Sequence, residues 1–327
     1  MSNQNKTNTS FFFAGHVAVD NVIRYRRLGK ATLGGSVCYG SLALRTYTQD
    51  GKISIISHIG KKNFSKSLLG IIKNRNIDLR GVKYSDVENT NFILDYFDHN
   101  RTLTLKSRSP DLEFNDIPQG YLNSSPDIVI LAPLCNEISF EYVLQISKQF
   151  PSVYIGIDLQ GFIRNIDDNG KVSYVYKNQN IANLKKIIEI IGDRLILKGS
   201  EEEMKLLANK HDDLYEVMKF FEVFDTNGIF IMTLGDQGSM LYRKGKTILK
   251  IPAFRPKKVN DETGAGDVYF SIFLYEFSLS DKSWDSIKKV ALLASAAASF
   301  LVEKKGPSGF ALKKKVLKRV ERKDYFK

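Results

Sequence analysis

Residues 259–270 read Val-Asn-Asp-Glu-Thr-Gly-Ala-Gly-Asp-Val-Tyr-Phe. Two glycines and an alanine separate Thr263 from Asp267. A strand-like run precedes them at 246–253, and an apolar helical pattern follows at 268–277, with Ser271, Leu274 and Tyr275 at helical spacing. A tight loop before a core helix would tolerate such small residues for packing alone. A helix N-terminus at 263–266 would also aim unpaired backbone N–H groups and the positive end of the dipole at an anion, which points to bound phosphate. A Cβ at either glycine would hold the phosphate oxygens away from those amides. Asp267, in the first turn, is placed to accept a proton from an attacking hydroxyl while the amides take up charge on the transferring group. The helix terminus should lower its pKa and leave it a weak base. Phosphoryl transfer tolerates a weak base, because its loose transition state depends more on positioning and charge stabilisation.

Outward from this stretch, short apolar runs at 11–19, 53–59, 127–132, 153–159, 194–198 and 229–234 read as compact strands. Helical patterns at 37–47, 64–74, 140–149, 181–191 and 201–207 lie between several of them. Strands without alternation, separated by helices, imply an α/β fold whose parallel sheet is covered on both faces. Residues 21–33 and 91–106 instead alternate apolar and polar, as half-exposed antiparallel strands do, and are expected to form a small lid with Gly34 and Gly35 as its junction. The expected organisation is a flexible tail over 1–10 and one domain over 11–327 with the lid inserted.

With 327 residues and 43% hydrophobic content, the chain can bury a large core. Its two cysteines, Cys38 and Cys135, stand 97 positions apart and provide neither a disulfide framework nor a CxxC knuckle, so a reducing setting is expected. The polar first ten residues are unlike a signal peptide, and the longest apolar run, 290–302, is too short to span a bilayer. The expectation is a soluble, cytoplasmic protein without a membrane partner. The net charge of +12 raises the question of nucleic acid, yet residues 303–327 alone carry ten Lys or Arg against three acids. Leu312, Val316, Leu317 and Val320 recur there at helical spacing, which reads as the wet face of a closing helix, and no nucleic-acid-binding motif appears elsewhere. There is no Walker A loop, and Tyr269 stands where a dinucleotide fingerprint after Gly264 and Gly266 needs a small residue.

The segment DETGAGD at 261–267, with LGGS at 33–36, TLGDQG at 233–238 and a late ASAAASFLVEKKGP helix, resembles the ribokinase-like, or PfkB, family of carbohydrate and nucleoside kinases. The resemblance runs in order over about residues 11–310. It implies an αβα sandwich with a mostly parallel central sheet and a β lid. It also implies ATP and Mg²⁺ as co-substrates and transfer of the γ-phosphoryl group to a substrate hydroxyl. By the same resemblance Asp267 is the catalytic base, and Gly264, Ala265 and Gly266 form the anion hole with Thr263 beside it. Asp20, at the end of the first strand, accepts bonds from substrate hydroxyls, and Gly34 and Gly35 act as lid hinge and substrate contact. Thr233, Gly235 and Gly238 form a nucleotide-binding turn. Ala294, Ala297 and Gly306 lie near the adenine, although small residues on a helix also serve core packing. Asp261 matches a position that binds a monovalent cation such as K⁺ in some members, and equally an aspartate opening a turn.

The family's Asn-x-x-Glu, which organises Mg²⁺ and phosphate through water, appears here as Ser200-Glu201-Glu202-Glu203: Glu203 is retained and Ser replaces Asn. The same residues form a capping-box pattern, and both readings stand together. For a sugar or polyol acceptor the polar candidates are Asp20, Gln160 and Arg164. The stretch DLQGFIR at 158–164 is similar to one in the inositol-kinase-like branch. A nucleoside acceptor would want an aromatic stack, from Tyr25, Phe92, Tyr96 or Phe97, unless these cover the lid's own sheet or a homodimer interface through the lid. A ligand-binding member of the fold without transfer activity is the remaining alternative, and Ser200 is its main support.

Overall fold

The computed structural model describes residues 9–24, 27–29, 31–97, 100–210 and 213–326. The strands are β1 (Ser10–Ala14), β2 (Ala18–Arg24), β3 (Arg27–Leu28), β4 (Thr32–Gly34), β5 (Lys52–Gly60), β6 (Asp78–Ser85), β7 (Asn91–Phe97) and β8 (Asn100–Ser107). They continue with β9 (Ile128–Leu131), β10 (Tyr154–Asp158), β11 (Asn165–Ile166), β12 (Val172–Ser173), β13 (Leu195–Ser200), β14 (Ile229–Thr233), β15 (Ser239–Tyr242) and β16 (Leu249–Ile251). The helices are α1 (Ser36–Tyr47), α2 (Lys66–Lys73), α3 (Gln119–Leu122), α4 (Phe140–Gln149), α5 (Gln160–Ile163) and α6 (Asn178–Ile191). After them come α7 (Glu201–Ala208), α8 (Leu214–Lys219), α9 (Ala265–Leu279), α10 (Trp284–Leu301) and α11 (Lys313–Arg322).

Nine strands form the main sheet in the order β16-β15-β14-β13-β10-β9-β1-β5-β6, parallel from β14 to β6 and antiparallel at β15 and β16. The run Phe11-Phe12-Phe13 shows why it is covered twice. Side chains alternate along a strand, so Phe11 and Phe13 enter the core beneath α1, α9 and α10, while Phe12 enters the core beneath α4, α6 and α7. The αβα sandwich expected from the sequence is thus present. The edge strand β6 escapes sequence reading because its residues, Asp78-Leu-Arg-Gly-Val-Lys-Tyr-Ser85, are largely polar and half-exposed.

The run read as one strand over 11–19 is two. Gly15, at φ 152° and with space for no Cβ beside the Ala132 carbonyl, turns the chain out of the main sheet. Residues from Ala18 onward then form β2 of the second sheet, so Asp20 sits on a lid strand rather than at the end of a core strand. The lid, β3-β2-β7-β8 with β4 on β2, is not wholly antiparallel as expected: β2 and β7 run parallel, joined through a long crossover that includes α1, β5, α2 and β6. The expected lid strands are otherwise present, although Tyr25 lies outside the described residues. Of the tail expected over 1–10, residues 1–8 also lie outside them, whereas Ser10 already opens β1.

A buried network fixes the base of the lid. Glu137 accepts from the backbone N–H groups of His16, Leu134 and Cys135 at 2.7–2.9 Å, and His16 Nδ1 lies 2.8 Å from Thr90 Oγ1. Burial disfavours the Glu137 carboxylate, yet His16 and these amides outweigh it and hold its pKa below the ordinary value. At the C-terminus α11 buries Val316 and leaves Leu312 and Leu317 half-exposed, so its basic residues occupy a mainly solvated helix, as expected. Among the described residues no helix is long and apolar enough to cross a membrane.

Candidate active site

Helix α9 begins at Ala265, capped by Gly264 in the left-handed conformation at φ 82°. A Cβ at Gly264 would fall 2.1 Å from Tyr39 Cδ1, so glycine is required both by the backbone and by the ring of α1 packed against it. Residues 264–267 divide two cavities. Gly264 and Asp267 line a small one, about 90 Å³, with Asp20, Gly35, Ser36, Tyr39, Gln160, Arg164 and Thr263 and with lid side chains Phe92, Leu94 and Leu103. Ala265 and Gly266 line a second, about 290 Å³, with Thr233, Gly235, Asp236, Gly238, Tyr269, Ser295, Ala298, Ser299 and Val302. Gly264 to Asp267 are therefore a partition with one face toward each.

Asp267 is half-buried, and its pKa is pushed up to about 6. Burial is the largest cause, reinforced by Asp158 and opposed by Lys198, the Ser36 hydroxyl and Arg164. This runs against the expectation from the helix dipole: burial and Asp158 raise the pKa, so the carboxylate is a stronger base than a surface aspartate. Such a group still carries its charge at neutral pH and lies near the best strength for general base catalysis.

The neighbouring cation was not singled out from sequence. Lys198, on β13, donates to both carboxylate oxygens of Asp158, on β10, at 3.0 and 3.2 Å, and both residues are buried. Burial works against its charge, but Asp158, Glu203 and Asp267 raise its pKa further, so it stays an ammonium. Its Nζ would lie 3.0 Å from a Cβ placed on Gly266, close to the backbone at the start of α9. The one signal in the sequence was a lone lysine closing an apolar strand, Arg194-Leu-Ile-Leu-Lys198. Ser36 was passed over in the same way: it belongs to LGGS, meets Asp267 and accepts a 3.4 Å bond from Gln160 Nε2.

Around the small cavity the structure brings together Asp20, Gly35, Gln160 and Arg164, with Gly34 packed against the Asp20 carboxylate. Arg164 is buried and donates Nη1 to the Leu134 carbonyl at 2.9 Å, while its Nε has no hydrogen-bond partner among the described residues. Thr263, expected to bind the nucleotide, lines the small cavity instead of the second, and its N–H donates to Asp261 Oδ1 at 3.2 Å, the turn-opening geometry. Asp261 and Gly306 line a third, adjoining cavity of about 600 Å³ with Asp20, Arg27, Tyr39 and Lys305.

Ser200 and Glu203 line neither the small nor the second cavity. They form the capping box of α7: Glu203 N–H donates to Ser200 Oγ, and Glu203 Oε2 accepts from Ser200 N–H at 2.8 Å. Glu203 Oε1 accepts from Tyr174 OH at 2.9 Å. Thr233, Gly235 and Gly238, expected as a nucleotide-binding turn, line the second cavity together. Ala297 does not: it and Ala294 are buried in the core, and the same helix presents Ser295, Ala298, Ser299 and Val302 instead. In Ala291-Leu-Leu-Ala-Ser-Ala-Ala-Ala-Ser299 small residues occur all around the helix, so periodicity could not reveal which face was open.

The pfkB family carbohydrate kinase profile matches residues 42–314. The chain belongs to that family. It is 26% identical over 281 residues to a putative sugar kinase of Pyrococcus horikoshii, covering 82% of this chain and 80% of that protein. It is 36% identical over 120 residues to a nucleoside kinase of Methanocaldococcus jannaschii, a match that spans only 37% of this chain and 36% of that one. Among solved structures, a fructokinase from Xylella fastidiosa with bound ATP superposes with a TM-score of 0.77 at 15% identity, over 96% of this chain and 98% of that chain. A pyrophosphate-dependent ribokinase-family kinase complexed with a pyrophosphate analogue and myo-inositol gives 0.73 at 19%, over 94% and 99%. The chain thus carries the fold of the ribokinase family and the kinase class of its own family, with two cavities meeting at the signature helix.

Proposed function

We propose that the protein transfers the γ-phosphoryl group of ATP to a hydroxyl of a sugar or polyol. The observation that carries this reading is the partition at 264–267, where the half-buried Asp267 lines a small cavity and the adjoining Ala265 and Gly266 line a larger one. The acceptor lies among Asp20, Gln160 and Arg164, with the lid's Phe92, Leu94 and Leu103 over its apolar faces. Asp267 takes the proton of the attacking hydroxyl. The amides around Gly264–Gly266 and the Lys198 ammonium stabilise charge on the group in transit.

The second cavity supports a nucleotide donor over pyrophosphate. Besides Ala265 and Gly266 its lining includes Phe254, Pro256, Val259, Ala298 and Val302, apolar surface that a nucleobase would cover and pyrophosphate would leave wet. For a divalent cation held through water the candidate donors are Asp158 and Glu203, neither of which lines either cavity. Asp158 and Glu203 are hard oxygen donors near Lys198, but Asp158 is held by Lys198 and Glu203 by Ser200 and Tyr174. Magnesium held there would neutralise phosphate charge. Asp261 offers a carboxylate to K⁺ only with one oxygen already in its turn.

A nucleoside acceptor is the second reading. It is favoured by the adjoining cavity, which shares Asp20, Tyr39 and Thr263 with the acceptor cavity and has room for a base. A transfer screen separates the readings: purified protein with Mg²⁺, ATP or pyrophosphate as donor, and hexoses, cyclic polyols and nucleosides as acceptors. Phosphorylation of a sugar or polyol from ATP is expected. Preference for a nucleoside would install the second reading, and absence of transfer to every acceptor would leave a ligand-binding protein.

A further inference from the structure

The basic C-terminal segment ends against the donor cavity. Arg319 of α11 donates to Ser299 Oγ at 2.8 Å and to Glu303 Oε1 at 2.6 Å, and its guanidinium lies 3.4 Å from the centre of the Phe300 ring. This fastens α11 to α10, the helix that lines the cavity. Lys323 then takes the left-handed conformation and turns the chain back along 253–255. Arg255 N–H donates to the Asp324 carbonyl at 2.9 Å and Phe326 N–H to the Ala253 carbonyl at 3.1 Å, bracketing an antiparallel bridge between Phe254 and Tyr325. Successive side chains of an extended segment point opposite ways. Tyr325 packs on Phe254 with ring centroids 4.8 Å apart, and Phe326 turns to the cavity, where it remains 40% exposed.

We propose that Phe326 stacks on the nucleobase of the donor, so that the C-terminal segment closes the apolar part of the donor cavity and selects donors that carry a base. The inference rests on the nucleotide-donor reading above. A planar apolar ligand fits the apolar share of this lining, Phe254, Pro256, Val259 and Val302, while Asp236 and Glu262 supply its charged groups. Every base has a π-face, so stacking of this kind separates nucleotides from bare polyphosphates without itself choosing adenine. It also gives the basic helix a role: its lysines and arginines keep a wet face while Arg319 and the turn at Lys323 position the terminal aromatic.

The test is steady-state kinetics of the native protein, Phe326→Ala and Phe326→Trp, with adenosine and tripolyphosphate as inhibitors competing with ATP. Phe326→Ala is expected to raise KM for ATP roughly 5- to 150-fold, the range of base–aromatic stacking, with KM for the acceptor unchanged. Inhibition by adenosine should weaken by the same factor, inhibition by tripolyphosphate should not change, and Phe326→Trp should keep near-native values. A KM for ATP within twofold of native in Phe326→Ala overturns the proposal. So does equal weakening of both inhibitors, which would make the ring merely structural. If the native protein uses pyrophosphate and not ATP, the donor reading itself fails and this inference falls with it.

Discussion

Replacing Asp267 by Asn should remove turnover and at the same time make the protein harder to unfold at neutral pH. The folded protein raises the Asp267 pKa from 3.8 to about 6, chiefly by burial and the nearby Asp158. A raised carboxylate is bound more tightly to its proton when folded. Its favourable contribution is therefore full below about pH 4 and lost as pH rises through about 6, after which the half-buried charge opposes folding. The gap corresponds to about 3 kcal/mol at pH 7.5 and nearly none at pH 4. Asn is isosteric and uncharged, and Lys198 keeps Asp158 as its partner. For a chain of this length about 3 kcal/mol moves the unfolding midpoint by roughly 4 °C. Differential scanning calorimetry of both proteins across pH 4–8 reads the effect. The Asp267→Asn variant should show a raised Tm at pH 7.5 and not at pH 4. A midpoint at or below native at pH 7.5, or a gain of equal size at both ends, would refute the claim that Asp267 is a strained, proton-seeking base.

Lys198→Met removes a charge that lowers the Asp267 pKa, so the acid limb of activity should move above its native position near pH 6, read from kcat/KM against pH. It should also cost roughly 3–5 kcal/mol by leaving Asp158 buried and unpaired, measured by denaturant unfolding. Gly264→Ala forces a Cβ into the Tyr39 ring at φ 82° and should destabilise by roughly 2–5 kcal/mol, with transfer lost even where the protein stays folded. Arg164→Gln should raise acceptor KM at least tenfold and leave KM for ATP within twofold, because Arg164 lines the acceptor cavity alone. Chelation of divalent ions should abolish transfer, and Mg²⁺ should restore it in a titration of initial rate.

The signature stretch was legible because its chemistry is local: small residues next to an aspartate at a helix start look the same in sequence and in space. The covered parallel sheet was legible for a related reason, since Phe11-Phe12-Phe13 and the other unbroken apolar runs leave no wet face. What depends on distant pairing was not. The parallel partnership of β2 with β7 joins residues about 70 positions apart, and nothing within either strand encodes its direction. Lys198 read as a strand ending because its partner Asp158 lies on another strand. The Asp267 pKa was misjudged because burial, which dominates it, is a property of the assembled site, whereas the helix dipole is visible from position alone. Ala297 failed where the unbroken run of small or apolar residues over 291–299 gave helix α10 no distinguishable face. Phe326 carried no signal, since a terminal aromatic acquires its place only through the contacts of Arg319 and Tyr325.

The central claim is that Asp267 takes a proton while a γ-phosphoryl group crosses from one cavity to the other. Single-turnover transfer from γ-labelled ATP to the best acceptor of the screen, followed in native and Asp267→Asn protein from pH 4.5 to 8.5, tests it most directly. The account predicts a native rate that is level above about pH 6 and falls about tenfold for each pH unit below it, with the Asn variant slower by orders of magnitude throughout. A native rate independent of pH across that range, or an Asn variant within tenfold of native, would contradict it.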